Sequence, residues 1–543
     1  MLNLLGWCGL SVLLVWSLKS SRSIAPSDKT PGWSWWALSA AVLLCFRWRM
    51  VSVPTEFNED EAQLIAGALT LKHDPIFWRS VDGITAGPLT FFPLLPATFA
   101  VGPASFMIAR LIALAGSFAT LVFAGKTIAL LAGPAVGRAA VLPALAFLAF
   151  TTTPDLLFYS TETAPVFLLA AAAFLIARQM VQPHRAHLWL GGLLLGAVPW
   201  AKLQATPIAA TLWLLLLVLE WTSGRRRSLI VLFGAGLIPS LVIAMLATAF
   251  NETNNLLISY IFNNIGYVQA GAWTWENILA LQLSNTIFDG FLAWWIAGII
   301  GFALLTSATA REPSRIRVGF SRGATLLLLA AVACVIAPRR DYPHYLHLLE
   351  LPLVLMGGVV LTGVWRAELT AANGRTNRLA LALFLAVSVG PQLGLKLLHP
   401  DARYAELLWQ PTPSRTQLSS IVSDHASRGE ALAIWGWYSA VYVDTGMYQA
   451  TREGQTQPQI NPGRWQGYFL QRYLNDFVAS DAPVFVDTIG PGTLGKQFSD
   501  RKVAHESFPP LRSLIAERYT LAKEIGGARV YVRNDRLRQV QLP

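Results

Sequence analysis

The first 396 residues consist largely of long apolar runs almost free of charge, and this fixes the environment the chain can fold in. A helix crossing a hydrocarbon core of about 30 Å needs about 20 mostly apolar residues, because its backbone N–H and C=O groups must all be satisfied within the segment. Twelve runs meet or approach that requirement: 2–18, 33–46, 105–129, 139–152, 164–176, 188–201, 206–221, 229–250, 287–305, 324–337, 346–365 and 379–395. Charged residues are 13% of the chain, about half the share an ordinary soluble domain carries. Disorder, a collagen repeat and a disulfide framework are excluded by the same composition. The three cysteines, Cys8, Cys45 and Cys334, lie in apolar runs without Cys-x-x-Cys spacing and read as small buried hydrophobes. The run at 2–18 has no basic stretch before it and no clear small-residue cleavage site after it, so it is read as a retained span.

Charge returns at Leu397: residues 397–543 hold 16 basic and 14 acidic side chains. The expected fold class is therefore a polytopic α-helical membrane protein of about 11–12 spans, residues 1–396, with an outer-face loop at 51–104. A small extracytoplasmic α/β domain follows at 397–543. In that domain 431–435, 483–487 and 529–532 read as buried strands and 466–477 as a helix. The aromatic run Trp435-Gly-Trp437-Tyr438 offers rings that stack on sugars or pack in a core.

Orientation follows from Lys and Arg. One set of loops holds 17 of the 26 basic residues before Leu397, which places it in the cytoplasm. The other face would then lie on the periplasmic side of a bacterial-type inner (plasma) membrane. Twelve of the 17 acids before Leu397 fall on that outer face: Glu56, Glu59, Asp60, Glu61, Asp74, Asp82, Asp155, Glu162, Glu252, Glu276, Asp289 and Asp341. Acids contribute little to insertion, so their asymmetry points to chemistry at the outer interface. Arg47 and Arg49 stand on the same face against the rule and read as snorkelling anchors or, alternatively, as contacts for an anionic lipid head group.

The loop after the second run is the richest. Asn58 fits a helix N-cap with Glu61 completing a capping box, and Leu64, Ile65, Ala68, Leu69 and Leu71 follow at helical spacing. This predicts a short surface helix ahead of a Gly/Pro-rich re-entry at Gly87-Pro88-Leu89. Complementing the helix dipole accounts for one or two of the acids at about 0.3–1 kcal/mol each, but not for four in six residues. The functional reading makes one carboxylate, Asp60 or Glu61, a general base, the other orienting or capping. Asp155 and Glu162, in the next outer loop, either cap their span or share the cavity with Asp60. Basic groups recur on the same face: Lys72, Lys202, Arg339 and Arg340, with His344 and Tyr345 beside the last two. Arginine forks and tyrosine hydroxyls suit a lipid phosphate, and they equally suit an interfacial belt. No Gly-x-Gly-x-x-Gly, Walker loop or Asp-x-Asp pair occurs, so an activated substrate would come from the membrane.

The acidic pair Asp60-Glu61, the Gly87-Pro88-Leu89 re-entry, the span led by Arg110, Lys202, and the run from His344-Tyr345 to Pro352 stand in this order. Together they resemble the GT-C glycosyltransferase superfamily, and within it the protein O-mannosyltransferase and aminoarabinose-transferase branch. The resemblance implies an inverting glycosyltransferase, hexosyl or pentosyl, that moves a sugar from a polyprenyl-phosphate-linked donor to an acceptor hydroxyl. The acceptor would be a glycan, a lipid or a protein; membrane lipids would be partners and nucleic acid would not. By the family's pattern Asp60 is the catalytic acid of the first outer loop, and Arg339, Arg340 and Tyr345 lie where the donor phosphate is held. No metal site is assigned. A divalent cation is left open, with Asp60 and Glu162 or Asp155 as its acidic neighbours. Two rival classes are a transporter or flippase of a lipid-linked or anionic solute and a non-catalytic scaffold. A transporter would bury ionisable groups at the bilayer midplane.

Overall fold

The computed structural model describes residues 2–19, 32–271, 273–280, 291–307, 315–367, 374–398, 413–491 and 499–540. Asp289 and the start of the ninth run, 287–290, lie outside them. Among the described residues each of the twelve apolar runs lies mainly on helix. The first ten helices are α1 (Leu2–Lys19), α2 (Trp33–Val51), α3 (Glu59–His73), α4 (Pro88–Phe91), α5 (Pro103–Ala132), α6 (Pro134–Phe150), α7 (Thr163–Val181), α8 (Arg185–Ala201), α9 (Thr206–Thr222) and α10 (Arg226–Ala249). Seven of the described helical segments are long and apolar enough to cross a membrane, including Pro103–Ala132, Thr163–Val181 and Pro343–Thr362; four shorter apolar helices add to them. The chain is a multi-pass helical membrane protein with a small sheet near its C-terminus.

It divides into two compact units. One comprises Met1–Met50, Ala113–Ile243 and Tyr267–Ala405; the other comprises Val51–Ile112, Ala244–Gly266 and Glu406–Pro543.

The first unit is a helical bundle. From Ala135 to Phe150 every residue of α6 is buried. A helix apolar on all sides is expected at the centre of such a bundle rather than at its rim. Lipid offers Leu nothing that another Leu does not, so helices here associate by close packing of small residues. Gly192 and Gly196 of α8 do this: they lie on the α10 backbone at Leu232 and Gly236, where a Cβ on Gly196 would overlap the Gly236 carbonyl. Arg47 departs from the sequence expectation. It is 6% exposed and donates from Nη2 to the carbonyls of Leu156 (3.2 Å) and Leu157 (3.3 Å). It ties down the 3₁₀ turn Pro154–Leu156 instead of snorkelling, because those carbonyls need a donor that an apolar surround does not supply.

The second unit is built on a five-stranded sheet in the order β2-β1-β3-β5-β4. Its strands are β1 (Ala431–Trp435), β2 (Tyr448–Gln449), β3 (Val484–Asp487), β4 (Tyr519–Ile525) and β5 (Ala528–Arg533). The β1–β2 and β1–β3 pairs are parallel, while β5 runs antiparallel to both β3 and β4. The central strands β1 and β3 are apolar runs buried along their whole length, as parallel strands covered on both faces must be. Gly526 and Gly527, both at positive φ, form the two-residue hairpin between β4 and β5, the conformation a primed turn demands. Edge strand β4 exposes Lys523 and Glu524, which blunts further pairing. The helix Gln466–Ser480 covers the sheet through Tyr473 and Phe477, with Leu470 and Leu474 beside them. Trp435 belongs to this core: its ring meets Tyr473 and Phe508, and its Nε1 donates to the Val503 carbonyl.

Helix α3 lies in this second unit and is more deeply packed than a surface helix. Ten of its fifteen residues are buried, and its Thr70 hydroxyl accepts the Gln449 N–H of β2 at 3.0 Å. The expectation of a single apolar face is therefore corrected: protein covers the face that the sequence pattern assigned to lipid headgroups.

Candidate active site

Asn58 caps α3 as expected, its side chain accepting the Asp60 N–H at 3.0 Å. The capping box is displaced. Glu61 accepts from the Phe57 N–H at 2.9 Å, one residue earlier than the box predicts, because Arg110 holds its carboxylate. That pair is excluded from solvent, at 1% and 0% side-chain exposure. Arg110 also donates to the Val53 carbonyl at 2.5 Å and to the Thr55 carbonyl, with its guanidinium 3.9 Å from the Phe57 ring centroid. One arginine thus gathers residues 53–61, and Glu61 is consumed in the ion pair. Asp60 is half-buried on the first turn of the same helix. Lys72 stands twelve residues further along, about 18 Å at 1.5 Å per residue. Its Nζ lies over the Phe99 ring at 4.4 Å, so it is not brought beside Asp60.

The loop before α4 is strained. Ile84, a β-branched residue, sits at φ 58, a conformation that costs of order 1–3 kcal/mol. It is held by the Asp82 carboxylate, which accepts the Ile84 N–H at 2.8 Å, and by Asn264, which donates to the Ile84 carbonyl at 3.2 Å.

The first unit brings together a second group. Glu162 precedes α7, Lys202 follows α8, and His344 and Tyr345 open the span Pro343–Thr362, so all four sit where membrane helices begin or end. Lys202 Nζ pairs with Glu162, donates to the Thr161 hydroxyl at 2.5 Å and lies 4.8 Å from the Tyr345 ring centroid. His344 Nδ1 is 3.6 Å from an Asp155 oxygen, and its ring stacks on Tyr342. The Tyr345 hydroxyl is 3.1 Å from that of Tyr267, whose ring in turn carries the Arg340 guanidinium at 4.8 Å. Arg339, at φ 49, donates to the Gln269 carbonyl at 2.8 Å with its guanidinium over Trp275, and Arg340 donates to the next carbonyl, Ala270, at 3.3 Å. Burial alone would push the Glu162 carboxyl up, but the Lys202 ammonium and the His344 imidazole outweigh it and hold the group below its ordinary value. Below this cluster His347 pairs with Glu350, both buried within the span.

Seven of the expected residues, Asp155, Glu162, Lys202, Arg339, Arg340, His344 and Tyr345, therefore lie in one unit; Asp60, Glu61 and Lys72 belong to the other. Sequence reasoning missed Tyr267 and Thr161, since a lone interfacial Tyr or Thr carries no signal. It also understated Arg110, whose buried charge opening a span was the clue.

Among the described residues one further group has metal-ligand spacing, Asp487, His505 and Glu506. Arg529 Nη2 already lies 2.7 Å from Asp487 and 2.8 Å from Glu506, so a guanidinium supplies the positive charge there.

No family model matches the sequence, and no curated protein matches it. Solved structures do match. The aminoarabinose transferase ArnT of Cupriavidus metallidurans, bound to undecaprenyl phosphate, superposes with a TM-score of 0.62 at 11% identity, covering 92% of this chain and 98% of that one. The same enzyme in its apo state gives 0.57 at 12% identity, covering 92% and 97%. The apo oligosaccharyltransferase of Archaeoglobus fulgidus gives 0.45 at 10%, covering 83% and 69%. The likeness to ArnT runs through both the helical bundle and the C-terminal sheet, and it agrees with the order of motifs along the sequence. Over nine-tenths of its length this chain shares the fold of that aminoarabinose transferase.

Proposed function

We propose that the chain is an inverting glycosyltransferase that moves a sugar from a polyprenyl-phosphate-linked donor to an acceptor hydroxyl, with the chemistry on the extracytoplasmic side of a bacterial-type inner membrane. The observation that carries this reading is the buried ammonium of Lys202, set among Thr161, Tyr345 and His344 where three membrane helices begin or end. A buried cation is costly unless it meets an anion, and Glu162 fixes its position in the resting protein.

In this reading Asp60 accepts the proton of the acceptor hydroxyl as its oxygen forms a bond to the anomeric carbon. The bond from that carbon to the phosphate oxygen breaks on the opposite face, and its electron pair leaves with the lipid phosphate. Charge grows on the phosphate in the transition state. Lys202, Arg340 and the Tyr345 hydroxyl then bind it more tightly than they bind the neutral-sugar ester, which lowers the barrier. Arg339 and His344 would complete the phosphate's surround, and Asp155 would orient His344. Glu162 acts here by aligning Lys202. Glu61 acts by positioning the loop that carries Asp60.

The test is transfer of a radiolabelled sugar from synthetic polyprenyl-phosphate glycosides by the purified chain in lipid nanodiscs. Product with an inverted anomeric configuration is expected, with the reaction abolished in Lys202→Met. Retention of configuration, or full activity in that variant, would overturn the assignment.

A further inference from the structure

The unit that carries Asp60 contains a second concentration of chemistry that the transfer reaction leaves unused. Six buried polar atoms lack a hydrogen-bond partner among the described residues where the segment 449–460 meets α3: Gln63 Oε1, Trp437 Nε1, Gln449 Oε1, Glu453 Oε2 and both Oε1 and Nε2 of Gln459. Gln449, Glu453 and Gln459 are 4%, 2% and 0% exposed. Leaving a buried polar group unpaired costs about 1–3 kcal/mol, and native folds carry few of them.

These atoms share a neighbourhood. Gln449 Nε2 and Gln63 Cγ both press against Gly454, where a Cβ would collide with them. The Gly436 N–H donates to Thr456 Oγ1 at 2.7 Å and the Ser439 hydroxyl donates to the Gly454 carbonyl at 2.8 Å, so Trp437 is pinned to 454–456 from both sides. Gln459 follows on the one-turn helix Gln457–Ile460, closed by the Ile460 N–H on the Thr456 carbonyl at 3.0 Å. The other oxygen of Glu453 is occupied by Arg472, which fixes the carboxyl with Oε2 free.

The chemistry of the set selects its ligand. It mixes acceptors (three amide oxygens and a carboxyl) with donors (an amide NH₂ and an indole N–H), and none of its members is a cation. A phosphate would call for cations, and a peptide would call for an open strand edge. Hydroxyl groups, each donating one hydrogen bond and accepting two, fit an alternating array of this kind, and a half-buried indole supplies an apolar face for a sugar ring. Gln63 stands three residues after Asp60, so the two project from one face of α3.

We propose that Gln63, Trp437, Gln449, Glu453 and Gln459 form a carbohydrate-binding subsite that seats the acceptor and presents one of its hydroxyls to Asp60. The assignment rests on the glycosyl-transfer reading for its purpose, but the binding itself does not require transfer. It makes the acceptor a polyhydroxylated glycan, or the glycan part of a larger molecule.

The test is saturation-transfer NMR on the full-length chain in nanodiscs with no donor lipid, using the methyl glycosides of glucose, mannose, galactose and xylose at millimolar concentration. At least one glycoside should receive saturation from the wild-type chain. Gln449→Leu and Gln459→Leu should each weaken that binding at least tenfold without lowering the melting temperature, since each removes an orphaned polar atom. If the leucine variants do not fold, the isosteric Gln459→Glu should show the same loss. Absence of saturation transfer to all four glycosides, or unchanged binding in every folded Gln449 and Gln459 variant, would overturn the subsite. Sugar transfer without glycoside binding sinks the subsite alone, whereas glycoside binding without any transfer sinks the reaction and leaves the subsite standing.

Discussion

Arg110 grips Glu61 through two parallel hydrogen bonds, Nε to Oε1 and Nη2 to Oε2, each 2.8 Å long and closed to solvent. The same guanidinium takes the carbonyls of Val53 and Thr55, so a single side chain from α5 sets the course of the acidic loop. Breaking a buried pair on one side strands the other charge, at a cost of about 3–5 kcal/mol. Arg110→Met should lower the stability of the chain by that order in thermal unfolding in detergent. The double variant Arg110→Met/Glu61→Leu should recover a large part of it, because apolar replacement of both partners leaves no stranded charge.

Asp60 and Glu61 are neighbours in sequence with opposite fates, and this separates them experimentally. Asp60→Asn is expected to leave the melting temperature unchanged while transfer falls by about 10²–10⁴, the usual contribution of a positioned general base. Glu61→Gln should show the reverse emphasis, a drop in melting temperature with a smaller loss of rate. Normal transfer in Asp60→Asn would remove it as the base.

The apolar runs were legible because a bilayer imposes length and composition on a span: among the described residues each run lies mainly on helix, and seven helical segments are long and apolar enough to cross. Strands β1, β3 and β5 were legible because buried strands are continuous apolar runs between turn residues. Strand β4 was not, since an edge strand such as Tyr519–Ile525 is polar and half-exposed and resembles a loop. At the site, Lys202, His344 and Tyr345 announced themselves as polar groups at span ends. The partner of each did not. That Glu61 faces Arg110, 49 residues away, and that Tyr345 faces Tyr267, 78 residues away, are facts of tertiary packing with no local periodicity to betray them.

Tyr267 bonds the Tyr345 hydroxyl at 3.1 Å and carries Arg340 on its ring, so it couples the two groups assigned to the phosphate. Tyr267→Phe keeps the ring and deletes the hydroxyl. A neutral hydrogen bond is worth about 0.5–1.5 kcal/mol, so affinity for a polyprenyl phosphate should fall by about two- to tenfold. Titration calorimetry in nanodiscs reads this directly. Equal affinity in the variant and the wild type would place the lipid phosphate elsewhere.

Glu162 gives a pH signature whose sign reverses with its partner. In the wild type its carboxyl is held below the ordinary value of 4.5 because Lys202 and His344 outweigh the effect of burial. The unfolded chain then binds the proton more readily, so the stability this group supplies is complete above about pH 4.5 and is lost as pH falls through the lowered native value. Lys202→Met removes the larger opposing charge, and burial then pushes the same carboxyl up. The folded variant now binds the proton more readily than the unfolded one, so its deficit at neutral pH should shrink as pH falls through the raised value. Melting temperatures followed between about pH 8 and pH 5 should therefore climb more steeply in Lys202→Met than in the wild type. A level profile in the variant would show that Glu162 is not the anion Lys202 neutralises, and the proposed alignment of that ammonium would fall with it.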